Sequence, residues 1–190
     1  MRKILIPACL ITGLFAQITV VAGLNLGNMS YGADLKTAMD AADQKSGFQP
    51  GLAIGVDYAV GPVVANAGFT QRGTKLTMGS DDYTTSLSYI TFGASYPYAI
   101  NDQMSVSAGL GVGMFMSGKT KAGDADPVDV DKDSMNGTDY GLNLGFDYGI
   151  NDNMGVRLSY YLGLADISKE TTAGMERKNT GIGVSFLYGL

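Results

Sequence analysis

The stretch "MSVSAGLGVGMFMS", residues 104–117, decides how this chain is read. On an extended backbone Met104, Val106, Ala108, Leu110, Val112, Met114 and Met116 fall on one side, and Ser105, Ser107, Gly109, Gly111, Gly113, Phe115 and Ser117 on the other. A period of two is that of a β-strand with unlike faces, not of a helix. One face is apolar and the other mostly small and polar.

The same rule works outward along the chain. It separates Tyr140, Leu142, Leu144, Phe146 and Tyr148 from Asp139, Gly141, Asn143, Gly145 and Asp147. It separates Met154, Val156, Leu158, Tyr160, Leu162 and Leu164 from Gly155, Arg157, Ser159, Tyr161 and Gly163, and finally Ile182, Val184, Phe186, Tyr188 and Leu190 from Gly181, Gly183, Ser185 and Gly189. Weaker alternation marks residues 18–29, 48–58, 63–73 and 87–98, so eight strands are expected. Polar connections are expected near residues 30–46, 76–84, 118–137 and 166–178, with helical propensity only at 34–44.

A near-repeat punctuates the pattern. "YAINDQMSV" begins at Tyr98 and "YGINDNMGV" at Tyr148; with Tyr58 and Tyr188 the spacings are 40, 50 and 40 residues. Each tyrosine closes one strand of a hairpin, and the Asn-Asp pairs suit the short turn that follows. Four hairpins place Tyr58, Tyr98, Tyr148 and Tyr188 in a ring at one height, where an aromatic girdle meets a membrane–water interface.

Composition decides which face looks inward. Charged residues make up 16% of the 190 residues, against roughly 25% in soluble domains. The strand interiors hold few charges, chiefly Asp57, Arg72, Asp139, Asp147 and Arg157. In a soluble ligand-binding barrel the polar face would be the solvated exterior, and it should carry Lys and Glu in numbers. The opposite assignment turns the apolar face to lipid and packs Gly, Ser and Asn into a narrow lumen. Closure pairs every backbone group that lipid cannot hydrate. The reading is therefore all-β: an eight-stranded antiparallel up-and-down transmembrane β-barrel spanning residues 17–190.

Residues 1–16 read as a signal peptide. Arg2 and Lys3 form a basic start, and residues 4–15 form an apolar run too short to span a bilayer as a helix. Cleavage after Ala16 is expected; a later cut after Ala22 suits small-residue rules but enters the first strand. "IPAC" at residues 6–9 resembles a lipoprotein signal, yet the run before Cys9 is very short and continues past it. Cys9 is the chain's single cysteine, so the mature chain is expected to lack a thiol and a disulfide.

The order of the strand patterns carries a resemblance. "AGLNLGNM", "GFQPGLAIGVDY", "FTQRGTKL", "LSYITFGASYPY", "AGLGVGMFMSGK", "YGLNLGFDYGI", "VRLSYYLGLADIS" and "GIGVSFLYGL" together are similar to the outer-membrane β-barrel family, in particular the small "porin family" proteins of Bacteroidota type. The resemblance implies location in the bacterial outer membrane. It also implies insertion by the outer-membrane assembly machinery, which reads an alternating C-terminal strand usually ending in an aromatic residue. Ile182, Val184, Phe186 and Tyr188 fit that pattern and Leu190 departs from it. The resemblance implies no reaction.

The remaining chemistry is sparse. The sequence has no histidine, which removes Ser–His and Cys–His catalysis. Lone lumenal Asp residues read as partners of Arg rather than as catalysts, so the protein is read as not an enzyme. A net charge of −5 without a basic stripe argues against nucleic acid. In "DADPVDVDKDSMNG", residues 124–137, Asp129, Asp131 and Asp133 copy the alternate acids of a calcium loop. Ser134 stands where that loop needs glycine and Tyr140 where it needs glutamate, so a solvated acidic loop without cofactor is preferred.

Strand parity also puts Arg157, Asp147 and Asp57 together inside the barrel. Arg157 and Asp147 flank the "GINDN" turn one residue pair apart, and Asp57 precedes Tyr58 as Asp147 precedes Tyr148. A guanidinium bridging two carboxylates would plug the lumen near the short turns, and its removal is expected to open an ion leak. The competing reading leaves Arg157 in interior water. Eight strands enclose room for little more than side chains, so two functional readings stand. The leading one is a structural or interaction protein that anchors external loops in the membrane, and the alternative is a narrow porin-like conduit for small solutes or ions.

Overall fold

The computed structural model describes residues 18–169 and 172–190. The expected signal segment and Cys9 lie outside the described residues. The strands are β1 (Ile18–Tyr31), β2 (Gln44–Gly47), β3 (Gln49–Val60), β4 (Val63–Met78), β5 (Asp81–Ala99), β6 (Met104–Ala122), β7 (Val128–Asp129), β8 (Thr138–Gly149), β9 (Met154–Gly163) and β10 (Arg177–Gly189), with one helix, α1 (Ala33–Ala41). β1, β3, β4, β5, β6, β8, β9 and β10 pair antiparallel in chain order, and β1 pairs with β10 to close the ring. A closed ring leaves no lipid-exposed edge with unpaired N–H and C=O groups.

The alternation found in the sequence becomes inside and outside. Leu110, Leu52, Ile54 and Tyr96 are 64, 58, 57 and 58% exposed, and their neighbours of the opposite parity face the lumen. An apolar belt running round the whole barrel far exceeds the few hundred Å² tolerated on a soluble surface. No described helix is long and apolar enough to cross a membrane; the strands are the crossing elements.

The repeated phrase builds the same turn twice. The Asn101 side-chain oxygen accepts from the N–H groups of Gln103 and Met104 at 2.9 and 2.8 Å, and that of Asn151 from Asn153 and Met154 at 3.0 and 2.9 Å. Each asparagine thus mimics a backbone turn. Tyr58, Tyr98, Tyr148 and Tyr188 are all exposed at this end: Tyr98 and Tyr148 precede the two asparagine turns, Tyr58 precedes the turn at residues 61–62, and Tyr188 pairs with Met154 just after the second asparagine turn.

The opposite end departs from expectation. Residues 76–84 do not form a long connection: β4 and β5 run on to a two-residue turn at Gly79, whose φ of 63° favours glycine. Thr and Lys alternate there with Leu76 and Tyr83, so polar composition concealed a strand pair standing beyond the apolar belt. β6 also continues past Ser117, after a bulge opposite Ser88 and Tyr89. The extra residue reverses parity: Ser117, expected inside, is exposed, and Gly118 is buried. β2 extends the same wall by pairing with the end of β4, and β7 pairs with β6. α1 occupies the expected helical stretch but stops at Ala41.

Candidate functional site

Two charged clusters stand inside the barrel, one near each end. At the short-turn end Asp147 of β8 and Arg157 of β9 are direct register partners, not one pair apart. The guanidinium donates from Nε and Nη2 to the two oxygens of Asp147 at 2.7 and 2.8 Å. Its Nη1 reaches across the lumen to Oδ2 of Asp57 on β3 at 2.7 Å. The planar fork grips Asp147 with two parallel N–H groups while a third reaches Asp57, a bidentate fit that the point charge of a lysine does not offer. The side chains are 23% exposed for Arg157 and Asp147 and 10% for Asp57, so the cluster borders water rather than lying dry.

The second cluster was not anticipated as a unit. Arg72 of β4 donates through Nη1 to Asp139 of β8, and both side chains are almost fully buried. Asp139 also accepts from Tyr161 Oη at 3.0 Å and from Asn179 Nδ2 at 2.8 Å, and Asn179 lies 3.1 Å from Tyr89 Oη. The Arg72 guanidinium lies 3.7 Å from the Tyr161 ring centre and 5.2 Å from that of Tyr89, within cation–π range. Four strands converge on one carboxylate. Glycine makes the room: a Cβ at Gly113 would stand 3.2 Å from Tyr89 and 3.4 Å from Arg72, and one at Gly141 only 2.8 Å from Tyr161 Cζ.

Parity had already turned Asp139 and Tyr161 inward, and that was the available signal. The missing information was that Arg72 of β4 stands at the height of Asp139 across the barrel, and that β10 begins at Arg177, which turns Asn179 toward the same carboxylate. Above this cluster Met29, Leu87, Tyr89 and Ile167 form a small apolar core, packed by Tyr31, Phe115, Val130 and Met135. Tyr89 and Phe115 meet edge to face at 5.7 Å. The long connections contribute Val130, Met135 and Ile167, so they fold over the mouth of the barrel.

A chamber of about 190 Å³ lies between the clusters, bordered by Arg72 and Tyr161 at one end and by Arg157 and Asp57 at the other. Asn25, Asn66, Asn143, Ser107 and Ser159 are among its lining. Such walls hydrogen-bond water and carry no nucleophile–base pair.

The acidic loop is arranged otherwise than a calcium loop. Asp129 lies in β7 opposite Lys119, and Asp131 caps a short turn by accepting from the Asp133 N–H at 3.0 Å. All three acids are exposed, and among the described residues no three metal-binding side chains converge. Outside the belt, on β5, the Lys75 ammonium and the Thr77 hydroxyl hold the Asp82 carboxyl below the usual carboxylate range.

Comparison with known proteins agrees with this architecture. The family model described as "Outer membrane protein beta-barrel domain" matches residues 11–189; the match is to the general domain, not to a Bacteroidota-type subset. No curated protein sequence matches the chain significantly. Neisserial surface protein A superposes with a TM-score of 0.62 at 13% identity, over 91% of this chain and 97% of that one. A designed transmembrane β-barrel does so with a TM-score of 0.52 at 12% identity, over 92% and 96%. At such identities the likeness is one of fold.

Proposed function

Since the chain belongs to the outer membrane protein β-barrel domain family, we propose that it is a closed outer-membrane anchor that displays the structure built on its long connections. The observation that carries this reading is the lumen, closed toward the short turns by Asp57, Asp147 and Arg157. Toward the long connections it is closed by the Arg72–Asp139 cluster under its apolar cap. Direct ion pairs that join opposite walls fill the bore that an open pore leaves clear. In the family's usual orientation the long connections face outward. β10, with Ile182, Val184, Phe186 and Tyr188 on its lipid side, is the strand the assembly machinery would read.

The reading is non-enzymatic and needs no cofactor. Support comes from the absence of histidine in the whole sequence and from the neutral amide and hydroxyl walls of the chamber. A narrow conduit for small solutes or ions is the second reading, favoured by that chamber, and it requires both clusters to part. Conductance of the refolded full chain in planar bilayers distinguishes the two. A silent bilayer is expected from the anchor; steady single-channel openings from the wild type would overturn it.

A further inference from the structure

The charges inside the barrel do not balance. From the short turns up to the Arg72 cluster, the described residues set three carboxylates, Asp57, Asp139 and Asp147, against two guanidiniums, Arg72 and Arg157. All but one of the carboxylate oxygens are engaged. Arg157 Nε and Nη2 donate to the two oxygens of Asp147, and its Nη1 donates to Oδ2 of Asp57. Asp139 accepts from Tyr161 Oη on Oδ1 and from Arg72 Nη1 and Asn179 Nδ2 on Oδ2. That leaves Oδ1 of Asp57, to which no described residue donates. The Asp57 side chain is only 10% exposed, and it lines the chamber between the clusters.

The chamber itself is kept open rather than filled. Asn66 is the register partner of Asp57, and its amide lies over β5, where a Cβ at Gly93 would stand 2.8 Å from Oδ1. Asn143 and Ser159 likewise take the space that a Cβ would need at Gly111 and Gly183. Glycine on one strand lets the polar side chain of another lie against the wall, and the chamber remains between them. None of these three side chains hydrogen-bonds to a described residue, so their oxygens are available to a guest.

Val56 and Tyr58, on either side of Asp57, face outward toward lipid, and a buried charge in such a wall is paired or coordinates a metal. Arg157 already serves three oxygens, so one unit of negative charge stays uncompensated at Asp57 Oδ1. The guest that answers it is a small cation held by oxygen alone. A single charge selects a monovalent ion, because a divalent one would turn the lumen positive and calcium takes a larger set of carboxylate and carbonyl oxygens. Softer metals prefer thiolate or imidazole, and the chamber walls carry neither.

We propose that the chamber holds one alkali cation, sodium or potassium, on Oδ1 of Asp57, with Asn66 and water completing its oxygen shell. The site goes beyond the anchor reading, which leaves the chamber without a ligand, and it neutralises the charge that Arg157 alone does not.

The test follows the urea midpoint of the full chain refolded into phosphatidylcholine vesicles as chloride salts are exchanged at constant ionic strength. Folding is checked by the gel shift between boiled and unboiled samples. Replacing tetramethylammonium by sodium or potassium is expected to raise the midpoint with the logarithm of the alkali concentration once the site fills, and the two alkali salts show which ion fits better. Asp57→Asn, which removes the excess charge, is expected to abolish the difference between alkali and tetramethylammonium. Asn66→Ala is expected to shift the response to higher alkali concentration, and Asp102→Asn/Asp152→Asn, in the exposed short turns, to leave it unchanged. Radioactive rubidium carried through gel filtration by the wild-type barrel in detergent gives the stoichiometry, with one ion per chain expected. Equal wild-type midpoints in all the salts, or no retained rubidium, would overturn the proposal even if the variants did not fold. So would an alkali response that survives Asp57→Asn, or a wild type that ignores alkali salts and gains stability only on acidification, which would put a proton where the ion is assigned.

Discussion

Replacing Arg157 by alanine removes the three charge-assisted hydrogen bonds that join β3, β8 and β9 across the lumen and leaves Asp57 and Asp147 without a countercharge. Breaking a buried pair by removing one partner costs roughly 3–5 kcal/mol. Here water reaches Asp147, whose side chain is 23% exposed, more easily than Asp57 at 10%, so the lower end, about 3 kcal/mol, applies. With a urea slope of about 2 kcal/mol/M for a protein of this size, the midpoint should fall by about 1.5 M. The chain has no tryptophan, so unfolding in vesicles is followed by circular dichroism. Asp147→Asn placed on top of Arg157→Ala should recover part of the loss, because it removes one stranded charge. Conductance separates the two clusters. The leak expected from removing Arg157 alone should not appear, since the Arg72–Asp139 cluster still closes the bore; it should appear when Arg72→Ala is added. A wild-type midpoint for Arg157→Ala would refute the bridge as a stabilising element, and conductance in that single variant would refute closure by the second cluster.

The remaining expectations are more compact. Asp139→Asn, which strands the almost fully buried Arg72 guanidinium, should lower stability by about 4 kcal/mol and therefore shift the urea midpoint further than Arg157→Ala does. N-terminal sequencing of the membrane-bound protein should start at Gln17, because a start at Gly23 removes Val20, Val21 and Ala22 from their pairing with both β10 and β3. Trypsin added to intact cells should cut first at Lys132 or Lys169, with Lys119, Lys121 and Lys178 protected by their place in strands, and chelator should leave the pattern unchanged; initial cuts at the short turns, after an engineered Gln103→Lys, would invert the orientation. The hairpin tip should loosen in acid. Lys75 and Thr77 depress the Asp82 carboxyl, so their contribution is complete above the ordinary carboxylate range and is lost as pH falls through the depressed value. Amide exchange in β4 and β5 beyond Gly73 measures it.

Sequence alone determined the barrel, because lipid and lumen impose opposite demands on alternate residues, and a period of two survives without any knowledge of neighbours. Eight segments, four tyrosines and two Asn-Asp turns followed from that, as did the meeting of Arg157 with Asp147, which needs only hairpin register. The link to Asp57, 100 residues away in sequence, was also legible, since both carboxylates precede a girdle tyrosine and share a height. Beyond the apolar belt the alternation loses its meaning, because water lies on both sides and polar residues fill both faces. Tertiary structure alone therefore decided that residues 76–84 extend a hairpin and that a bulge at Ser88 and Tyr89 reverses the parity of Ser117 and Gly118. It also decided that Arg72, Asp139, Tyr161, Asn179 and Tyr89 converge. Their contacts join five strands around the circumference, a distance fixed by barrel closure and stagger, which no local pattern in the chain records.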